Sequence, residues 1–346
     1  MGGDNGPSVV VPAVALAQKR LAERSPRFLL HGDPEAIGAE LQKHQVVCPA
    51  CEVRPAQSVI PMDAKPAKAL RGGRGSSLWN AVQAVKEGEA HAAVSAGNTG
   101  ALMAISRWQL KMIEGLERPA IVASWPTAKG VTTVLDVGAN VESDGTELVE
   151  FAIMGEAFYR AVHGRHLKPG ERPKVGFLNV GAEEEKGHQE VKEAQRLLRE
   201  SDLGLNYYGF VEGNDIGKGT VEVVATDGFT GNVALKTAEG TARFFAGELR
   251  NALTSSLGGK IGALIARGAL GRLKERLDPS SVNGGPLLGL RGVVVKAHGG
   301  SDAKGFANAI RIAADLADSD FLAEIERNTA RLLTVVQARK PLAESA

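Results

Sequence analysis

Cysteine is nearly absent: Cys48 and Cys51 are the only two in 346 residues, so no disulfide framework stabilises the chain. A zinc ribbon needs a second Cys pair, which the sequence does not contain. The Cys48-Pro49-Ala50-Cys51 motif also lacks a thioredoxin-like context, and it reads as two incidental cysteines beside a strand. Aromatic residues make up only 5%, too few for base-stacking surfaces. Neither charge dominates, with 41 Lys and Arg against 40 Asp and Glu, so bulk electrostatics give no reason to expect nucleic acid as a partner. The opening MGGDNGPSVV has no basic region followed by an apolar stretch, and no apolar run reaches the roughly 18–20 residues that span a bilayer. The expectation is a cytoplasmic protein.

Glycine, by contrast, is abundant at 42 residues, and it recurs in one pattern. A short run rich in Val, Ala and Leu leads into a Gly-rich polar turn and then a helical stretch. The pattern appears in RFLLHGDPEAIGAEL, HAAVSAGNTGALMA, TTVLDVGANVESDGTELVEFA, KVGFLNVGAEEEKGHQEVKEA, VEVVATDGFTGNVALKTAEG and GVVVKAHGGSDAKGFANAI. Continuous apolar strands alternating with helices predict an α/β fold, three-layered α/β/α, with a mainly parallel sheet. Length allows one intertwined unit over 1–338, with two lobes possible, and a frayed tail over 339–346. Loops are expected at 165–173 and 278–290. Ligands of such sheets bind beyond the carboxyl ends of strands, where helix amino ends offer N–H groups to anions. The turns are expected to face one crevice; a lysine-bearing GxxxxGK[ST] loop is absent.

Ser95, Gly97, Asn98, Thr99 and Gly100 fill the turn of HAAVSAGNTGALMA. Three readings are open. Ala93-Val94-Ser95-Ala96-Gly97 nearly matches a G-x-S-x-G nucleophile elbow, with Asp227 and His298 available for a hydrolase triad. Ser95 is otherwise a turn residue, or the backbone N–H groups of 97–100 bind an anion. Asp136 and Asn140 in LDVGANVE are either a cap and a tight turn or ligand groups. Glu183, Glu184 and Glu185 suit a helix start, whereas Lys186 in that first turn either reaches into solvent or neutralises an anion. Asp227, Gly231 and Asn232 lie in TDGFTGN, and Lys296, His298 and Ser301 in KAHGGSDAK. Of seven histidines only His298 sits at a strand end beside glycines; His163 and His166 fall in an expected surface loop and receive no role. No spacing suggests a metal. RGGRGSSLW offers Arg71 or Arg74 to an anion and Ser76 or Ser77 as a helix cap.

LGGKIGALIARGALGRLKERLD, 257–278, breaks the rhythm. Leu257, Ile261, Leu264 and Ile265 fall at helical spacing, followed by Leu270, Leu273 and Leu277, among five basic residues and one acid. A basic amphipathic helical element over 251–278 reads as a membrane-surface contact, or else as a helix packed on the body or in a dimer interface.

Taken in order, MGGDNGP, RGSS, VSAGNTGALM, RPAI, LDVGANV, EEEKG, DGFTGNVALKTAEG and LLGLRGVVVKAHGGSDAKGFANAI resemble the bacterial phosphate acyltransferases of phospholipid synthesis, the PlsX family. The resemblance runs from Met1 to Ala314. It implies the fold of phosphotransacetylases and isopropylmalate dehydrogenases, a homodimer, and peripheral attachment to the inner face of the cell membrane. It also implies transfer of a long fatty acyl group from an acyl carrier protein thioester to inorganic phosphate. The acyl phosphate would pass to a membrane glycerol-3-phosphate acyltransferase, and no cofactor or metal is expected. Lys186, Asn232 and His298 sit in matching motifs and become the expected catalytic groups. Gly2, Gly3, Asp4, Ser95, Gly97, Asn98, Thr99, Gly100, Asp136, Asn140, Asp227, Gly231 and Ser301 become the expected phosphate and substrate contacts. Family members usually carry a short strand before Met-Gly-Gly-Asp; with the chain starting at that Met1, Gly2 to Asp4 are expected to be poorly ordered.

In that chemistry phosphate attacks the thioester carbonyl and a thiolate leaves. Positioning the anion matters more than a strong base, and preorganised donors must hold the tetrahedral oxyanion. His298 is cast as proton donor to the leaving sulfur. Four alternatives stand beside it: a phosphotransacetylase acting on acyl-CoA, a nicotinamide dehydrogenase of the same fold, a non-catalytic membrane scaffold, and the Ser95 hydrolase.

Overall fold

Val293, Val294 and Val295 show why the chain forms layers. Successive strand residues point to opposite faces, so Val293 and Val295 join one core while Val294 joins another across the sheet. Both faces need helices, and the sequence supplies them. The computed structural model describes residues 1–44, 50–276 and 284–343. In chain order the elements begin with α1 (Pro7–Arg20), β1 (Phe28–Gly32), α2 (Pro34–Lys43), β2 (Cys51–Pro55), α3 (Pro66–Gly72), α4 (Ser77–Lys86), β3 (Ala92–Ser95) and α5 (Thr99–Leu110). There follow β4 (Ala120–Thr127), β5 (Gly130–Leu135), α6 (Gly145–His163), β6 (Lys174–Leu178), α7 (Gln189–Glu200), β7 (Asn206–Val211), α8 (Gly213–Lys218) and β8 (Val223–Ala225). The remainder is α9 (Gly228–Thr254), α10 (Leu257–Ile265), α11 (Arg267–Arg276), β9 (Gly285–Leu288), β10 (Val293–Lys296), α12 (Ala303–Ala317) and α13 (Phe321–Ala343).

Each of the six strand–turn–helix passages read from the sequence is present. One sheet has eight strands in the order β3-β10-β9-β4-β5-β8-β6-β7, and a second pairs β1 with β2. The larger sheet is parallel in its two flanks, β3–β10 and β5–β8–β6–β7. Between them β9 and β4 pair antiparallel with their neighbours. α6 lies almost wholly buried on one face, packed with α7, α12 and α13. α4 and α5 cover the other face over β3 and β10.

Several local expectations change. Gly285–Leu288 of the loop expected at 278–290 form the strand β9; residues 277–283 lie outside the described residues. His163 is not in a surface loop: it ends α6, buried, and its Nε2 shares a 2.9 Å hydrogen bond with Ser124 Oγ. Burial holds its imidazole down at about 3. α13 continues through Arg339 to Ala343, where a tail was expected. Cys51 opens β2 and is no free thiol, and Cys48 lies outside the described residues.

Candidate functional site

The amino-terminal glycines are the tightest part of the molecule's polar edge. A Cβ on Gly2 would meet Gly97 Cα at 2.7 Å, and one on Gly3, at φ +91°, would meet Ala96 Cβ at 2.9 Å. Asp4 then donates its N–H to the Gly299 carbonyl at 3.0 Å. The segment expected to be poorly ordered is thus clasped between the turns that follow β3 and β10, because glycine alone permits the backbone contact.

Those two turns carry Ser95, Gly97, Asn98, Thr99, Gly100 and Ser301 of the expected phosphate contacts. Ser95 Oγ accepts the Gly97 N–H at 3.1 Å. Asn98 caps α5, accepting the Ala101 N–H at 2.9 Å, while its Nδ2 donates to the carbonyls of Met62 and Ala64. Asn98 therefore ties a distant loop to the helix start, and Thr99 and Gly100 are the first residues of that helix. After β10, His298 Nδ1 accepts the Gly300 N–H at 3.2 Å, and the buried Ser301 donates its hydroxyl to the His298 carbonyl at 2.5 Å. Asp302 caps α12. With α1 starting just beyond Asp4, the amino ends of α1, α5 and α12 meet here around Gly2 to Asp4, Ala96 to Gly100 and His298 to Ser301. The positive dipole ends of three helices make this edge suited to an anion.

One cation was overlooked among the candidate site residues. Lys296 ends β10, and its Nζ donates to the Ala96 carbonyl at 3.4 Å and to the Ala297 carbonyl. Burial brings its ammonium down to about 8, opposed by the charge of Asp4. The signal was in the sequence: a lone lysine closes the otherwise apolar Val293–Lys296 immediately before a glycine turn.

A second cluster lies where β5 and β8 end. Asp136 is fully buried and accepts backbone N–H groups from Ile121, Gly138, Ala139 and Asn140, and the Asn140 side-chain amide. Burial raises its carboxyl above the ordinary range, against the pull of those donors. Asn140 also holds the Pro119 carbonyl at 2.9 Å. Asp227 caps α9, accepting from the N–H and hydroxyl of Thr230. A Cβ on Gly231 would stand 1.9 Å from the Asp136 carbonyl oxygen, so glycine is required where α9 crosses this turn. Asn232 Nδ2 donates to the Val137 carbonyl at 2.9 Å.

Lys186 follows β6 on the same edge. It is not in a helix first turn, because Gly187 takes φ +89° and α7 starts only at Gln189. Its ammonium pairs with Glu183 at 2.9 Å, exposed to solvent, and that hydrogen bond raises it above the ordinary lysine range.

The sheet does not gather these groups into one crevice within the chain. Val295 pairs with Pro286, Leu287 with Ile121, and Val122 with Leu135, so the four strands align side by side. Because β9 and β4 reverse the direction, the chain leaves β10 and β5 toward opposite edges. His298 lies with the Gly2–Ser95 cluster, while Asn232 and Lys186 lie at the other edge. The Ser95 triad fails for the same reason: Asp227 caps a helix at the opposite edge from Ser95 and His298.

The expected amphipathic element is two helices, broken at Ala266, which closes α10. Leu257, Ile261, Leu264 and Ile265 are 77%, 53%, 70% and 82% exposed. Leu277 and Asp278 lie outside the described residues. α9 leads to this hairpin with only Gly228 and Gly231 buried, presenting Phe244, Phe245 and Leu249 to solvent. Among the described residues no helix is long and apolar enough to cross a membrane.

Comparison with known proteins adds an independent line. A family model described as "Fatty acid synthesis protein" matches residues 1–324. A phosphate acyltransferase of Caulobacter vibrioides is 64% identical over 340 residues, 98% of this chain and 92% of the relative. One of Phenylobacterium zucineum is 58% identical over 341 residues, 99% and 95% of the two chains. Among solved structures, a phosphotransacetylase from Streptococcus pyogenes superposes with a TM-score of 0.58 at 19% identity, covering 88% of this chain and 91% of that one. The EutD phosphotransacetylase from Staphylococcus aureus gives 0.53 at 15% identity, covering 89% and 99%. At such identity the structures speak to the fold alone.

Proposed function

Since the chain belongs to the fatty acid synthesis protein family, among its phosphate acyltransferases, we propose that it moves a long-chain fatty acyl group from acyl carrier protein thioester to inorganic phosphate. The observation that carries the reading is the convergence of three helix amino ends and the Lys296 ammonium at one glycine-built edge. A phosphate oxygen attacks the thioester carbon, the C–S bond breaks, and the products are acyl phosphate and the carrier's thiol. Phosphate supplies the nucleophile already anionic, so the protein's task is orientation and charge stabilisation. N–H groups of 98–100 and of Gly299 hold the phosphate, with Ser95 and Ser301 fixing the turns. His298 protonates the departing sulfur. Lys186 and Asn232 donate to the oxyanion from the second cluster, and a homodimer brings that cluster to the first.

The α10–α11 hairpin serves product release. Its exposed Leu257, Ile261, Leu264 and Ile265, flanked by Lys260, Arg267 and Arg272, suit the surface of an anionic bilayer. A greasy, labile acyl phosphate is then delivered on the cytoplasmic side to a membrane acyltransferase that consumes it. Basic residues such as Arg71 and Arg74 suit the acidic carrier protein.

The test measures free carrier thiol released from palmitoyl-acyl carrier protein, with and without inorganic phosphate, together with hydroxylamine-reactive product. Phosphate-dependent release with acyl phosphate formation is expected. Phosphate-independent release would sink the phosphate site, and activity confined to short acyl-CoA would replace the carrier protein as donor.

A further inference from the structure

Four cations follow one another with no acid to answer them. Lys65, Lys68, Arg71 and Arg74 lie in a stretch, 65–74, that contains no Asp or Glu, in a chain whose net charge is only +1. All four are exposed, on α3 or beside it, and α3 buries only Ala69. Elsewhere the helices answer their own cations: Arg196 pairs with Glu193, Lys218 with Asp215, Lys236 with Glu239 and Arg311 with Asp315. Among the described residues no ion pair includes any of the four α3 cations. Like charges left uncancelled repel one another, and they suit a partner of opposite sign.

The patch is fastened to the phosphate edge. Asn98, the cap of α5, donates its Nδ2 to the Met62 and Ala64 carbonyls at 2.7 and 2.9 Å. A Cβ on Gly100 would meet Pro66 Cγ at 2.8 Å, and one on Gly299 would meet Met62 Cε at 3.2 Å. The start of α3 therefore touches the turn after β3 and, through Met62, the turn after β10. The ends of the segment are tied as well: Gln57 donates its N–H to the Gly75 carbonyl at 2.9 Å, and Ser77 to that of Ser58 at 3.0 Å. These bonds and the packing of α3 on α5 make a fixed rim beside Ser95 to Gly100 and His298 to Ser301. Val59 and Met62 are exposed in the same segment and add apolar contact.

Position and spacing select the occupant. A seven-residue helix is about 10 Å long, so cations spread along α3 and past its end meet several acidic groups of a macromolecule rather than the one phosphodiester of a thioester arm. The other surplus of cations, Lys260, Arg267 and Arg272, stands on an arm that leaves the opposite edge through α9. It lies beside the exposed Leu264 and Ile265, which suit a lipid surface. Only the α3 patch adjoins the turns where the thioester has to arrive.

Resting on the transfer reading above, we infer that α3 with its flanks is the docking face of the carrier protein. The carrier's acidic surface seats on Lys65, Lys68, Arg71 and Arg74, and its thioester arm passes Met62 to reach the turns at Ser95 and His298. The uncancelled charge steers the encounter, and the fixed rim sets the orientation in which the arm enters.

The test titrates fluorescently labelled acyl carrier protein, without its acyl group, into the native chain and into a variant combining Lys65→Glu, Lys68→Glu and Arg71→Glu. The Glu variant is expected to raise Kd at least about tenfold and to flatten its dependence on salt. Alanine at the same three positions should give a smaller rise, and it serves as the second variant should the Glu form not fold. A carrier whose surface acids are changed to Lys should recover binding to the Glu variant. Lys260→Glu with Arg267→Glu and Arg272→Glu is the control, and a larger rise there than in the α3 variant overturns the docking face. Thiol release from palmitoyl-acyl carrier protein is followed in parallel, and its kcat/KM replaces Kd where binding is too weak to titrate. Release by the native chain with an unchanged Kd in the α3 variant overturns the docking face and leaves the transfer reading standing. A native chain that neither binds the carrier nor releases thiol overturns both.

Discussion

Lys296, the last residue of β10, stands opposite Ser95, the last residue of β3, in a parallel ladder, and its ammonium turns back onto the Ala96 carbonyl. The lysine is thereby fixed beside the turn whose N–H groups are assigned to phosphate, while burial brings its titration to about 8. An ammonium has three N–H bonds, and two of them answer the Ala96 and Ala297 carbonyls.

Removing that charge is expected to weaken phosphate binding. Lys296→Met should raise the phosphate KM by about 10- to 100-fold, the value of one charge-assisted hydrogen bond, with a smaller change in kcat. In the native enzyme the ammonium is protonated below about 8 and neutral above it, so KM should rise as pH passes about 8. Lys296→Arg keeps its charge and should lose that alkaline limb. Steady-state kinetics in phosphate from pH 6.5 to 9.5 reads both effects; an unchanged KM in Lys296→Met would remove the lysine from the site.

The reversal of strand direction through β9 and β4 makes a prediction about subunits. If His298 of one copy works with Lys186 and Asn232 of another, two dead chains can rescue each other. Lys186→Ala and His298→Ala are each expected to lose about 100-fold or more in turnover. Co-expressed with different tags and purified as hybrids, they should regain about half of native activity, because one of the two shared sites is intact. Hybrids as inactive as the parents would mean that each chain builds its own site.

Glu150 offers a pH test of the core. It lies buried in α6, where burial and then the negative charges of Glu147, Asp144 and Glu117 push its carboxyl up to about 8. The folded state thus holds a proton that the unfolded chain releases near the ordinary carboxylate range. Its contribution to stability is complete below that range and is lost as pH rises through about 8. Glu150→Gln should flatten this slope, leaving stability at pH 5 nearly unchanged and raising it at pH 8.5 by on the order of 4 kcal/mol. Urea unfolding at the two pH values decides it, and equal differences at both would refute the assignment.

Much of this was legible before the structure, and the reasons for the rest are local. The six strand–turn–helix passages announced themselves because strands buried on both faces read as unbroken apolar runs, as in Val293 to Lys296. Asp227 as a helix cap and Gly231 as a close approach follow from the same turn grammar. Strand direction did not show: Gly285–Leu288 is a short apolar run among glycines, and nothing in it says antiparallel. Without that reversal the turns would share one crevice. Asn98 and Asp136 also looked like ligand groups, yet their side chains answer protein N–H and carbonyl groups, which only tertiary contacts reveal.

The α10–α11 hairpin separates membrane contact from chemistry. Leu264 and Ile265 are 70% and 82% exposed, so replacing them removes no buried packing and should leave the fold intact. Each buried apolar side chain contributes roughly 1.5–3 kcal/mol when it enters an apolar phase, so Leu264→Asp with Ile265→Asp should cut binding to phosphatidylglycerol vesicles by at least about 30-fold. Lys260, Arg267 and Arg272 supply the electrostatic part, which falls with salt because exposed charges are screened within about 10 Å at 0.1 M. Flotation with anionic vesicles in low and high salt measures both contributions, and turnover on soluble acyl carrier protein substrate should stay within about twofold of native. Loss of vesicle binding with unchanged turnover assigns the hairpin to product delivery. Unchanged binding would turn that apolar surface toward a second copy of the chain, where α9 presents Phe244 and Phe245 along the same arm.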